Sequence, residues 1–248
     1  MALREELEKQ GSWLFRWRSF VPLFILPVLV IALEKSGYLE RHFGDDAENF
    51  FGLFCVAISL LGLAVRCITV GFTPRGTSGR NTKKQIAKTL NTKGMYSIVR
   101  NPLYLGNFLI FLGITLFIQV WWFSIISLLA FCLYYERIMF TEEEFLRNKF
   151  GSSYLEWAER TPLFLPKPGN WKQPDLPFSF RNVLKREYSA LFVITSSFPL
   201  IDTVSDLVAV NRLELDWGWI ILFTAGLAIY LTLRALKKKT KILAVSGR

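Results

Sequence analysis

From Pro102 to Tyr135 the chain runs for 34 residues without one charged side chain. A helix crosses a bilayer with roughly 20 mostly apolar residues. The run is therefore long enough for two membrane helices joined by a tight turn near Gln119. Four further stretches carry no charge: Ser19–Leu33, Phe50–Val65, Ala190–Ile201 and Trp217–Leu233. Together they predict an all-α integral membrane protein with about six transmembrane helices, near 19–35, 50–70, 102–118, 120–138, 189–209 and 217–235. The overall hydrophobic content of 52% would not decide this by itself; the uninterrupted runs do.

Charge between the runs sets the orientation, because short cytosolic loops are enriched in Lys and Arg. Arg4, Lys9, Arg16 and Arg18 precede the first run. The next connection, Glu34–Glu48, holds five acids against Lys35 and Arg41. The following one, Gly71–Asn101, carries Arg75, Arg80, Lys83, Lys84, Lys88, Lys93 and Arg100 and no acid. The C-terminal tail opens with Arg234 and Lys237–Lys239. This alternation predicts both termini in the cytosol. The charged N-terminus, Met1-Ala-Leu-Arg-Glu-Glu, lacks the pattern of a cleavable leader, so the first helix is expected to stay as an anchor. Arg66, at the inner end of the second run, is expected to snorkel to headgroups. Asp202 and Asp206 are expected at a solvated or headgroup position.

Chemistry concentrates at one membrane face. Gly94-Met-Tyr-Ser-Ile-Val-Arg-Asn-Pro-Leu-Tyr-Leu-Gly106 leads from the basic loop into the third helix. Pro102 suits the first turn of a helix and Asn101 suits the capping position before it. The free N–H groups there favour an anion. Gly106 leaves room for a ligand or a neighbouring helix. The hairpin returns to the same face with Glu142-Glu143-Glu144, followed by Phe150-Gly151, Tyr154 and Trp157. Cations, carboxylates and aromatics converging at a lipid boundary suit a charged cofactor and a lipid headgroup. The segment Pro162–Pro177, with five prolines, reads as an ordered loop against that face.

The set Tyr96-Ser97, Arg100-Asn101-Pro102, Tyr104 and Gly106, then Glu142-Glu143, Leu146, Phe150-Gly151 and Tyr154, then Pro162 and Pro166, resembles the integral-membrane methyltransferases. That group includes the isoprenylcysteine carboxyl and phospholipid methyltransferases, and the likeness spans about residues 94–166. It implies an S-adenosylmethionine pocket at the cytosolic face. Tyr96, Asn101, Pro102, Tyr104, Gly106, Glu142 and Glu143 would bind the cofactor, with Arg100 and Glu142 as catalytic residues. Asn101 stands where the carboxyl methyltransferases usually have His, which favours phospholipid-type members. The preceding Thr73–Asn81 and Asn91–Tyr96 resemble bacterial methyltransferases acting on a lipid A phosphate. This implies a bacterial inner-membrane location and an anionic lipid acceptor held by Arg75, Arg80 and Arg100. Phospholipid amine and isoprenylcysteine carboxyl methylation are the alternatives, and a scaffold or transporter is the non-enzyme one.

On this reading, residues 1–93 form two helices and the basic loop, 94–166 the methyltransferase core, and 167–248 a connector with two more helices. The partners are the bilayer and its lipid, with the oligomeric state open. Cys55, Cys67 and Cys132 lie inside membrane runs without CxxC spacing, and His42 is the only histidine. No metal site or His-based triad is expected. The formal charge of +10 is spread over membrane-flanking loops rather than one face, which disfavours nucleic acid.

Overall fold

The computed structural model describes residues 2–18, 20–74, 87–209 and 216–245; Arg75 and Arg80 lie outside them. The described residues form ten α-helices and two short 3₁₀ turns, with no strand. In chain order the helices are α1 Leu3–Trp17, α2 Leu26–Leu33, α3 Tyr38–Phe43, α4 Asp45–Phe72 and α5 Met95–Ile98, then α6 Pro102–Phe117, α7 Trp121–Phe150, α8 Ser152–Arg160, α9 Phe180–Ala209 and α10 Trp217–Lys239.

Four helices, α4, α7, α9 and α10, are long and apolar enough to cross a membrane. Two of the six expected crossings are shorter. The first is split into a 3₁₀ turn, Val21–Ile25, and the eight-residue α2, each with a proline at its start. Proline removes a helical donor and clashes with the preceding turn, which is why the run does not form one rod. The other is α6, whose 16 residues reach about 24 Å at 1.5 Å per residue, against a hydrocarbon core of about 30 Å. In the opposite direction, α7 continues about four turns beyond its apolar run and carries Glu142–Glu144 on the extension. The outward faces are greasy: Phe50, Leu53, Leu61, Leu129, Leu133 and Ile221 are all exposed. A surface of that kind is at home in lipid.

The central contact is α4 along α6. Small residues let the backbones meet, as is common between membrane helices. A Cβ on Gly62 would come 2.5 Å from the Gly106 carbonyl oxygen and 2.8 Å from Ile110 N. A Cβ on Gly106 would come 2.8 Å from the Gly62 carbonyl oxygen. Ser59 reinforces the seam by donating to the Ile110 carbonyl at 3.0 Å. Helix α9 packs on α4 and α10, and α1 lies along α7. The α6–α7 turn is as tight as expected. Gln119 takes a left-handed φ of 61° there, and its side chain ties down Leu39 N at 2.8 Å and Glu48 at 2.7 Å. The apolar core, built from Ala32, Leu33, Cys55, Phe117, Phe123, Ile194 and Phe198, fills the half of the bundle nearest this turn. The half toward Arg100 is hollow.

Candidate active site

The hollow is a cavity of about 910 Å³ between α6, α7 and α9, roofed by the α1–α2 segment and by residues 87–101. Its Arg100 end is built by an unusual density of backbone ties. The proline-rich loop after α8 straps onto the motif: Arg100 N donates to the Pro162 carbonyl, Lys167 N to the Ile98 carbonyl and Gly94 N to the Lys172 carbonyl, each at 2.9 Å. Trp157 Nε1 donates to the Tyr96 carbonyl at 3.0 Å, and Ser97 Oγ accepts from Lys172 N at 2.9 Å. Each bond satisfies a group that would otherwise be stranded in an irregular buried segment. The proline-rich loop thereby holds the 94–101 segment in place.

The three consecutive glutamates diverge, as successive helical positions must. Glu144 is buried and turns to Arg4 of α1 and, at 3.7 Å, to Arg147. Glu143 pairs with Arg100 at 3.0 Å, joining the two sequence motifs. Glu142 faces the cavity beside Tyr104. Tyr154 from α8 closes this end against Glu143 and Trp157. Burial, then the Glu143 charge, pushes its phenol above the ordinary tyrosine range, so it stays a protonated donor at neutral pH.

Of the sites expected from sequence, Tyr96, Arg100, Asn101, Pro102, Tyr104, Glu142 and Glu143 all line this one cavity. Gly106 does not: it lies in the α4–α6 seam against Gly62 and Arg66. Asn101 precedes α6, but its side chain does not cap the helix and leans to the Leu163 carbonyl at 3.4 Å. Arg75 and Arg80 fall outside the described residues.

A second polar group on the wall was not expected. Arg66 does not snorkel outward. Its Nε donates to Glu187 of α9 at 2.7 Å, and its Nη1 donates to Asn107. Asn107 in turn donates to the Tyr135 hydroxyl at 2.9 Å. With side-chain exposures of 14% and 4%, Arg66 and Glu187 form a buried ion pair that fastens α9 to the α4–α6 seam.

Five buried side-chain polar atoms among the described residues lack a hydrogen-bond partner: Asn91 Nδ2, Arg100 Nε, Ser127 Oγ, Glu143 Oε1 and Tyr154 OH. All five residues line this cavity. Arg100, Glu143 and Tyr154 face one another at this end, close but short of full hydrogen-bond geometry at these atoms, and buried polar groups left so incompletely paired in one hollow suit a polar ligand. The described residues contain no group of three or more His, Cys, Asp or Glu able to hold a metal ion.

The comparisons with known proteins converge on the same segment. The phospholipid methyltransferase family model matches residues 50–153, which takes in α4 from Phe50 onward, α6 and α7. Protein-S-isoprenylcysteine O-methyltransferase B of Arabidopsis thaliana is 39% identical over 149 residues, covering 58% of this chain and 73% of that protein. The chain belongs to the membrane methyltransferase group. Two bacterial relatives carry metal-resistance names. The cobalt-zinc-cadmium resistance protein CzcN of Cupriavidus metallidurans is 32% identical over 139 residues, covering 56% of this chain and 61% of that protein. The nickel-cobalt-cadmium resistance protein NccN of Alcaligenes xylosoxydans xylosoxydans is 26% identical over 156 residues, covering 63% of this chain and 68% of that protein. No solved structure matches.

Proposed function

We propose that this protein transfers a methyl group from S-adenosylmethionine to an anionic oxygen on a membrane lipid, in the cavity between α6, α7 and α9. The convergence of the five unpartnered polar atoms on one family-matched hollow carries this reading. The donors and acceptors at the Arg100 end suit the cofactor's amino-acid moiety and ribose. Glu143 Oε1 and Glu142 would accept from its ammonium and hydroxyl groups. Arg100 Nε, Asn91 Nδ2 and Tyr154 OH would donate to its carboxylate. When bound, the cofactor supplies an electrophilic methyl group on a sulfonium.

The chain's own residues then have two tasks. Arg100 fixes Glu143, so that its free oxygen is held for binding rather than left to swing. The aromatic wall of Tyr104, Phe131 and Tyr135 excludes water and aligns the acceptor; alignment by itself can contribute about 7–11 kcal/mol toward such a reaction. An ionised phosphate or carboxylate needs no general base, which fits a wall without histidine. The Arg100 end is assigned to the cytosol, with both termini there, by the charge of its loops.

A lipid A phosphate is the acceptor favoured by the resemblance in 73–96, with Arg75 and Arg80 contributing from the basic loop. The name of the plant relative favours an isoprenylcysteine carboxyl instead. Lipid mass spectrometry of membranes with and without the protein separates the two. A gain of one methylene mass on a phosphate lipid is expected; a gain confined to prenylcysteine would select the carboxyl acceptor, and no gain on either would reject the reading.

A further inference from the structure

Resting on that reading, we infer that Arg18 binds the acceptor's headgroup, a lipid phosphomonoester, in the part of the cavity walled by α1, α2 and α7, next to Glu142. The cavity's other cations are committed. Arg100 pairs with Glu143, Arg66 pairs with Glu187, and Arg186 has a partner of its own. Arg18 lines the same space and makes no ion pair among the described residues. Its guanidinium instead rests over the Phe15 ring, 4.6 Å from the centroid. That stacking leaves the planar N–H edge free for a two-pronged contact with phosphate.

The position is held rather than incidental. The Tyr134 hydroxyl donates to the Arg18 carbonyl at 3.2 Å, pinning the end of α1 to α7. Farther back, Gly11 lets α1 press on the Arg137 carbonyl and Thr141, and Arg4 pairs with Glu144. Arg18 is thereby held within electrostatic reach of Tyr104, Tyr134, Tyr135 and Glu142, next to where a methyl acceptor must stand. Farther along the chain, Phe24, Ile25 and Val28 line the same cavity, together with Ile126 and Ala130 of α7. An anion site that continues into an apolar slot fits a phosphate carrying acyl chains better than free phosphate.

The test uses the full-length protein in detergent with S-adenosylhomocysteine present. Calorimetry compares dihexanoyl phosphatidic acid, dihexanoyl phosphatidylcholine and inorganic phosphate on wild type, Arg18→Gln, Arg18→Lys and the α1 control Arg16→Gln. Wild type should prefer phosphatidic acid to both other probes. Arg18→Gln should weaken that binding about tenfold or more, the loss of a charge-assisted contact, and Arg18→Lys should restore part of it. Arg16→Gln should match wild type, and S-adenosylmethionine affinity should be unchanged in every variant. Undiminished phosphatidic acid binding by Arg18→Gln overturns the inference, as does a wild type that does not prefer phosphatidic acid. Loss of cofactor and lipid binding together in Arg18→Gln would also overturn it, by showing that Arg18 only holds α1. A wild type that binds no S-adenosylmethionine would instead reject the methyl-transfer reading beneath it.

Discussion

Replacing Glu187 with Gln keeps the size of the side chain but leaves the Arg66 charge buried with only Asn107 beside it. Both partners are well below one-third exposed, so solvent compensates little. Breaking a buried pair from one side typically costs about 3–5 kcal/mol. At about 2–4 °C per kcal/mol for a chain of this size, the melting temperature of detergent-purified protein should fall by roughly 6–20 °C. Arg66→Met should be similarly harmful. The double variant Arg66→Met/Glu187→Met removes both charges and should recover most of the loss, because an apolar replacement of a whole buried pair is often neutral. Nanoscale fluorimetry on the eight tryptophans gives the readout. Additive losses in the double variant, or an unshifted Glu187→Gln, would refute the view that this pair fastens α9 to the seam.

Other consequences are checked more simply. Glu142→Gln and Glu143→Gln should each weaken S-adenosylmethionine binding by about tenfold to a hundredfold, the loss of one charge-assisted hydrogen bond, as read by calorimetry at unchanged expression. Gly62→Leu should destabilise by at least about 1–3 kcal/mol, since its Cβ would meet backbone that cannot step aside, and thermal melting should show it. In a cysteine-free background, Asp46→Cys should react with an impermeant thiol reagent in intact cells while Lys88→Cys should not; the reverse labelling would invert the assigned orientation.

The helices were legible wherever hydropathy is continuous, because a charge-free run in lipid has few alternatives to helix. The Arg100–Glu143 neighbourhood was legible because both residues flank one hairpin, so a tight turn at Gln119 brings them together. The proline interruption of the first run was written at Pro22 and Pro27, but apolar content outweighed it. The seam role of Gly106 also had a signal: Gly106 and Gly113 lie seven apart on one α6 face, matching small residues on α4. Other features had no local signal. Arg66 and Glu187 are 121 residues apart, and a lone arginine at a helix end fits snorkelling equally well. Arg18 looked like one more cytosolic charge until the packing of α1 turned it inward.

Transfer of a radiolabelled methyl group from S-adenosylmethionine by the purified protein, into vesicles made from bacterial lipid extract, tests the function most directly. Label is expected in an anionic lipid fraction, as a methyl phosphodiester that survives mild base where a carboxyl methyl ester would release methanol, and lost with Glu143→Gln. Wild-type protein that binds S-adenosylmethionine yet labels no lipid, or labels an amine lipid instead, would contradict it.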